Sequence, residues 1–579
     1  MKPKFLFLFF VVTIQSMCNA QTLNWGAYFY TNNNFSASDV AIDADGNTYT
    51  VGLFVSGGDF DPGPGVFNIN ELSSTVGNYF CVKLNPNGNF VWAMPVGGTN
   101  NVNTVIGGYG PKISIDNNSG FIYITGAYSS QVDFDPSAAS FFIPPPNSGG
   151  PEYNFLAKYT LNGNLVWAKY IAEIGTVISE IAADSSGGIN LIGVFSGTLD
   201  LDPGPNVFNV STSPSGDDFY ILKYNLNGEF QWAKQFGDPT RLDEVYDITI
   251  DNQNNIIITG LFSGLVDFDP NSGVTNLQSN NNSNDAFIAK YTNNGELIWT
   301  KSFGSTNTGI ERGNAITVDN QNNIYATGSF SGLTDFDPSA NTVNLSPVGT
   351  RSIYILKLNS NGDFDFVKTI GAPGTEVVYD IAVDNDGSLY LTGYYLSSMD
   401  CDPDSGVFTV TANGGNPEIF LVSLSASNGQ FGWAKSIGGT GNDEGKRMAI
   451  HHPSNRLTLV GHFQNGSSVD FDPPNGYYLP YAQASGSASY VINYSYTSLS
   501  NPEFSPENSI VITPNPANEV INIQSNQPIE NYQLIDLTGK IITSESNSNT
   551  INVSTINPGI YLLKINSNNT TTTKKVVIE

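Results

Sequence analysis

A short signature, Asp-Phe-Asp-Pro, recurs along the chain and limits what it can fold into more than any other feature. It begins at Asp59, Asp133, Asp200 (with Leu201 in the middle), Asp267, Asp335, Asp400 (with Cys401) and Asp470, at spacings of 74, 67, 67, 68, 65 and 70 residues. Self-similarity at a near-constant period outweighs the several unrelated domains that 579 residues would otherwise suggest. Upstream of the signature, two short strands flank an Asp/Asn/Gly turn, as in Val40-Ala-Ile-Asp-Ala-Asp-Gly-Asn-Thr-Tyr-Thr-Val-Gly52 and Ile381-Ala-Val-Asp-Asn-Asp-Gly-Ser-Leu-Tyr-Leu-Thr-Gly393. Downstream, an Asn-Gly turn joins two alternating strands, as in Phe287-Ile-Ala-Lys-Tyr-Thr-Asn-Asn-Gly-Glu-Leu-Ile-Trp299. From Lys to Trp this second hairpin measures nine residues at Lys83/Trp92, Lys158/Trp167, Lys223/Trp232 and Lys290/Trp299, and again at Lys357/Phe366. Each repeat predicts four short strands in two hairpins, with no helical periodicity between them.

A four-stranded sheet repeated seven times, each copy too small to bury both faces, predicts an all-β, seven-bladed propeller. A solenoid would have shorter rungs and atypical caps at both ends. Here the ends complement one another. The seventh copy keeps its third strand, Tyr490-Val-Ile-Asn-Tyr494, and stops without a Trp strand, while Trp25-Gly-Ala-Tyr-Phe29 precedes the first full copy and matches Trp232-Ala-Lys-Gln-Phe236. The expected closure is circularly offset, with the two ends of the repeat region meeting in one blade. These segments resemble the seven-bladed β-propeller repeat family of bacterial surface and secreted proteins, over residues 21–497. The resemblance implies a fold and an extracytoplasmic setting, and no reaction.

The first twenty residues point to export. Lys2 and Lys4 precede the apolar run Phe5 to Ile14, and Cys18-Asn19-Ala20 offers a cleavage site, so residues 1–20 read as a signal peptide and Gln21 as the mature start. No later run is long enough to span a bilayer, which needs about 20 apolar residues. Residues 498–508 read as a linker, and 509–579 as a small β-sandwich. This last segment resembles the C-terminal sorting domain of type IX secretion in Bacteroidetes, on Pro514-Asn-Pro-Ala517, Ile535-Asp-Leu-Thr-Gly-Lys540, Pro558-Gly-Ile-Tyr-Leu-Leu-Lys564 and Lys574-Lys-Val-Val-Ile578. The resemblance implies the type IX secretion machinery as partner, and a secreted or outer-surface location.

Acids outnumber bases 52 to 23, for a net charge of −29, which disfavours nucleic acid and anionic membrane surfaces as partners. Cys81 and Cys401 occupy apolar repeat positions and read as buried free thiols rather than a disulfide. No nucleophile elbow, phosphate loop or zinc motif is present. His451, His452 and His462 all fall in the last copy, where His451 replaces the turn Asp and reads as drift in a surface hairpin.

The signature itself has chemical character. In extended backbone, residues two apart share a side. Seven pairs could therefore each hold Ca²⁺: Asp59 with Asp61, Asp133 with Asp135, Asp200 with Asp202, Asp267 with Asp269, Asp335 with Asp337, Asp400 with Asp402, and Asp470 with Asp472. The preferred alternative needs no ion: each Asp caps a turn by accepting backbone N–H bonds. The turns at Asp43 and Asp384 echo calcium loops but lack the bidentate Glu of such loops and read as tight turns. The repeat Lys residues, Lys158/Lys169, Lys223/Lys234, Lys290/Lys301 and Lys357/Lys368, balance the acids or line a channel for an anionic glycan. No cofactor is expected beyond that Ca²⁺ alternative. Because the acid pairs recur in every copy, whereas a catalytic pair is singular, the expectation is a monomeric, non-enzymatic module that binds a polysaccharide or protein. The alternative is a glycan-active enzyme with its site on divergent loops. The one notable expansion, Ser137 to Asn154, is rich in Pro and Gly and holds one acid, Glu152, which favours binding.

Overall fold

In the computed structural model the described residues are 21–496 and 511–578, apart from 32–34, 56, 71–77, 97–109, 129–131, 138, 144–152, 173–175, 203, 205, 213–215, 239, 306–308, 414, 465–468, 473–475, 477–486, 526–527, 537–539 and 568–569. The expected signal peptide, the linker and most of the Ser137–Asn154 expansion lie outside them. The chain divides into two compact units, residues 1–498 and 499–579.

Among the described residues, the first unit contains six four-stranded antiparallel sheets and a seventh that two short strands extend to six. The first is Phe35–Ile42, Thr48–Phe54, Asn78–Leu84 and Phe90–Val96, built as two hairpins. The first strands of successive sheets pack side by side, and that of the seventh packs against that of the first, so the inner strands close a ring. The unit is a β-propeller. Its seventh sheet takes Asp443–His451, Arg456–Gln464 and Ser487–Tyr496 from one end of the repeat region and Gln21–Thr31 from the other. The register runs from Gln21 opposite Tyr496 to Phe29 opposite Ser489, which is the expected closure. Trp25 also keeps the contact of its sister strands: its indole N–H donates to the Pro86 carbonyl of the next blade at 3.0 Å, as that of Trp92 does to Leu161 at 3.3 Å.

Four strands per repeat was an undercount. Between the second and third strands the chain makes a two-stranded ribbon, for example Leu265–Asp267 with Asn276–Gln278. The signature lies at its end, and its central residue (Phe60, Phe134, Leu201, Phe268, Phe336, Cys401 or Phe471) is at most 1% exposed. Burying a side chain of this kind is worth about 1.5–3 kcal/mol, so the signature anchors each ribbon to the core between blades. Both mature cysteines are buried and free.

The motif glycine late in the second strand has a steric cause in most copies. A Cβ on Gly52 would lie 2.2 Å from the Ser36 carbonyl oxygen, and one on Gly260 would lie 2.0 Å from that of Glu244. The first strand crowds this glycine because it carries a β-bulge there, marked by register shifts at Ala37/Asp39, Ile178/Glu180, Val245/Asp247, Gly313/Ala315, Val378/Asp380 and Gly445/Arg447.

The second unit stacks a three-stranded and a four-stranded sheet over a core that includes Ile521, Leu534, Leu563 and Val576. Its first and last sequence motifs meet. The Asn515 side chain donates to the Lys575 carbonyl at 2.9 Å and accepts from the Val577 N–H at 2.8 Å.

Candidate functional site

The acid pairs lie at the ribbons. The ribbon strand ends at Asp59, so the extended segment expected over Asp59–Asp61 is not part of the strand. Asp59 Oδ1 instead accepts the N–H of Asp61 at 3.0 Å and of Phe67 at 2.8 Å, while Asp61 Oδ1 accepts that of Gly63 at 2.8 Å. The first acid of the next five pairs does the same, each spanning its ribbon turn. Asp133 accepts from Phe141, Asp200 from Phe208, Asp267 from Thr275, Asp335 from Val343 and Asp400 from Phe408, at 2.8–2.9 Å.

The second acids turn away from the first, toward amides further along the chain. Asp135 accepts from the Ser137 N–H at 2.9 Å, Asp202 from Gly204 at 2.8 Å and Asp269 from Asn271 at 3.0 Å. Likewise Asp337 accepts from Ser339 at 2.9 Å and Asp402 from Asp404 at 3.0 Å. At the last pair, Asp470 accepts from the Asp472 N–H at 3.0 Å, and Asp472 pairs with Lys435 at 2.8 Å. The bonds of Asp61, Asp135, Asp202, Asp269, Asp337 and Asp402, and of the first acids Asp59, Asp133, Asp200, Asp267, Asp335, Asp400 and Asp470, are those of turn caps, the preferred alternative to Ca²⁺, while Asp472 meets Lys435. The physical reason is the turn: once the backbone leaves the strand, its own amides claim the carboxylates. Among the described residues no three or more His, Cys, Asp or Glu side chains come together as a metal site.

The repeat Lys residues do not line a channel. In three blades the first Lys of the second hairpin reaches the turn Asp of the first, Lys223–Asp184 at 2.7 Å, Lys290–Asp251 at 2.9 Å and Lys83–Asp43 at 3.6 Å, whereas Lys357 pairs with Asp365 at 2.9 Å and Lys158 donates to the Leu226 carbonyl at 2.9 Å. In Asp184, burial works against the charge, but bonds from Lys223, Ser186 and Gly188 outweigh it and hold the carboxyl at about 2. Asp251 is likewise held below its ordinary value. In the sixth blade Ser423 stands in place of the Lys, and burial pushes the turn Asp384 up instead. His451, half-buried at the equivalent turn of the last blade, bonds through Nε2 to the Ala44 carbonyl at 3.1 Å, joining that blade to the first.

Four residues before each turn residue stands a ring that the sequence reading passed over: Asp39, Lys112, Glu180, Asp247, Ala315, Asp380 and Arg447. These positions follow the bulges of the inner strands. Three of the acids bind the amides of two blades at once. Asp39 accepts from Val40 at 2.8 Å and from Ile113 at 2.9 Å, Asp247 from Ile248 at 3.0 Å and Ile316 at 2.7 Å, and Asp380 from Ile381 at 2.8 Å and Met448 at 2.6 Å. Glu180 pairs with Lys112 at 3.0 Å and with Arg447 at 2.5 Å. Arg447 belongs to the seventh sheet and Glu180 to the third, so this ion pair crosses the channel, and Arg447 also lies 3.6 Å from Asp380. Burial raises Asp39 and Asp247 to about 7 and Asp380 to about 6, whereas the two cations outweigh burial at Glu180 and hold it low.

On one side of this ring the channel widens into a cavity of about 520 Å³. Strand directions place the ribbons and the connections between blades around this mouth, and the two hairpin turns of every blade on the opposite face. The wall is built largely from the residues at the bulges: Ser38, Ser179, Tyr246, Asn314, Tyr379 and Lys446. Arg312 joins them, and Lys112 and Arg447 contribute from the ring. Lys446 pairs with Glu444 and lies 4.1 Å from the centre of the Tyr379 ring. Behind it, burial and the Lys446 charge push His462 down to about 4. Among the described residues, two polar atoms on this wall are buried without a hydrogen-bond partner, Arg312 Nε and Ser179 Oγ.

The secretion system C-terminal sorting domain family matches residues 511–579, and the β-propeller repeat family matches residues 231–261, which include the bulge at Tyr246. This is a β-propeller-repeat protein with a type IX sorting domain. It is therefore a secreted or cell-surface protein, with the secretion machinery as an implied partner. Among the described residues no helix is long and apolar enough to cross a membrane. The chain is 24% identical over 465 residues to an uncharacterized WD repeat-containing protein of Acanthamoeba polyphaga mimivirus, covering 71% of this chain and 32% of that one. Among solved structures, the acylaminoacyl peptidase of Pyrococcus horikoshii overlaps it at a TM-score of 0.37 and 10% identity, over 84% of this chain and 57% of that one. An ulvan lyase of polysaccharide lyase family PL25 overlaps at 0.38 and 11% identity, over 76% and 94%. These overlaps are too loose to transfer any chemistry.

Proposed function

We propose that the propeller is a non-catalytic binding module that holds a polysaccharide or protein ligand at the channel mouth, outside the cell. One observation carries this reading: the wall of the mouth changes chemistry from blade to blade, while the turns and ribbons repeat almost unchanged. A repeat protein acquires a singular site only where its copies diverge. The cavity also has the size of ligand sites, about 300–1,000 Å³ with a few convergent polar groups. Glycosidic acid–base cleavage requires two carboxyl groups facing the substrate. Among the described residues the cavity wall contains no Asp, Glu or His, which favours binding over the enzymatic alternative.

The test is an array of polysaccharide fragments and surface proteins probed with the mature full chain and with Asn314→Trp, which fills the mouth. The expected result is a ligand held by the wild type and lost in the variant at an equal melting midpoint. A ligand kept by the variant would move the site elsewhere. Cleavage of a bound glycan would replace the binding reading with the enzymatic one.

A further inference from the structure

We infer that the ligand of the channel mouth is an acidic saccharide, with the carboxylate or sulfate of one sugar unit seated against Arg312. The inference rests on the channel-mouth reading and narrows it to a chemical class. The chain as a whole is strongly acidic at −29, yet among the described residues Lys112, Arg312, Lys446 and Arg447 line this cavity and no carboxylate does. Three of these cations are already matched, Lys112 by Glu180, Arg447 by Glu180 and Asp380, and Lys446 by Glu444. Arg312 is different. It is half-buried, its Nε is closed off from solvent without an acceptor, and no ion pair engages it among the described residues.

A buried guanidinium donor without a partner is destabilising, and the planar fork of Arg suits two parallel bonds to a carboxylate or sulfate. The fifth blade is also where the charged ring is interrupted, by Ala315, so no ring acid of that blade stands by to neutralise Arg312. A second orphan shares the wall. Among the described residues Ser179 is 1% exposed and its hydroxyl has no partner, a neutral polar group at the cavity wall. Tyr246 and Tyr379 add aromatic surface and Asn314 an amide. Apolar faces beside hydroxyl-matching groups and one open cation suit a charged sugar better than an extended acidic peptide, which needs a groove along which to bond its backbone.

Titration calorimetry on the mature full chain would use four tetrasaccharide probes: a uronate, its carboxyl-reduced counterpart, a sulfated galactan and its desulfated counterpart. One acidic member should bind at least about tenfold more tightly than its neutral counterpart, the size expected of one charge-assisted bidentate contact. Which of the two pairs shows the preference distinguishes carboxylate from sulfate. Arg312→Met should erase that preference without lowering the melting midpoint, and Arg312→Lys should restore part of it. Equal binding within both pairs, or a preference that survives Arg312→Met, would overturn the inference. So would tighter binding of an oligoglutamate peptide than of every saccharide. Neutral saccharide binding that is lost in Asn314→Trp but untouched by Arg312→Met would overturn the acidic assignment and leave the channel-mouth reading standing. Acidic binding that persists in Asn314→Trp would overturn that broader reading.

Discussion

The two faces of the propeller handle charge in opposite ways. On the hairpin-turn face, Asp184 and Asp251 are buried, each meets a Lys of its own blade, and each is held below its ordinary pKa. On the mouth face the buried acids Asp39, Asp243, Asp247, Asp285 and Asp443 rise to about 7, with burial as the largest cause in every case. Several of them brace connections between blades: Asp243 accepts from the Asp238 N–H at 2.6 Å, and Asp443 from that of Gly439 at 2.8 Å. On one face, buried acids of several repeats are matched by a Lys of the same blade. On the other, Asp39, Asp243, Asp247 and Asp443 are held by backbone amides, and the residues differ from blade to blade. The contrast separates the part of the molecule that maintains the fold from the part free to acquire a ligand.

Deleting 21–29 should have the largest effect, because it damages both faces at once. It strips the fourth strand from the seventh sheet and exposes the edge of Ser487–Tyr496. Loss of a cooperative thermal transition, with aggregation, is the expected outcome, and a native-like melt would remove closure from the account. Next comes Lys290→Met, which leaves Asp251 buried and unpaired. Breaking a buried pair in this way costs about 3–5 kcal/mol, measurable by denaturant unfolding. A loss under about 1 kcal/mol, typical of exposed pairs, would mean that the turn face is not held by its ion pairs.

The pH dependence distinguishes the faces directly. A carboxyl raised in the folded state contributes stability below its unfolded value, near 4, and loses it as pH climbs toward 7. The depressed Asp184 and Asp251 behave oppositely, contributing above about 4 and losing stability as pH falls toward 2. Stability should therefore peak on the acid side of neutrality and decline from pH 5 to pH 8, read as a lower melting midpoint at pH 8 than at pH 5. A midpoint that rises over that interval would contradict the contrast. The smallest effect belongs to the ribbons. Asp267→Ala removes an acceptor shared by two amides and should cost about 1 kcal/mol. The wild-type midpoint should be the same in millimolar Ca²⁺ and in chelator, and a rise with Ca²⁺ would restore the metal reading of the acid pairs.

Much of the architecture was legible in the repeat, because period and hydrophobic alternation are local properties that survive without any partner in view. The offset closure could be read because Trp25 and Tyr490–Tyr494 each lack what the other supplies. The roles of the acid pairs were less accessible. Whether Asp59 and Asp61 share a side depends on whether the backbone there is extended, and the bond from Phe67, eight residues on, belongs to a ribbon with little sequence signature.

The site was the least legible part. The strand quoted from Val40 begins one residue after Asp39, and the seven ring positions hold five residue types of both charges and none, so a search for chemistry common to the copies passes over them. The available signal was positional: a polar or charged residue standing four before the turn Asp in nearly every copy. Sequence alone determined the repeat, its closure and the sorting domain, because these are written in patterns that each copy carries by itself. Only the tertiary structure decided which cations are matched and which are not. Arg447 meets Glu180 across the channel although the two lie far apart in sequence, and among the described residues none reaches Arg312 Nε as an acceptor.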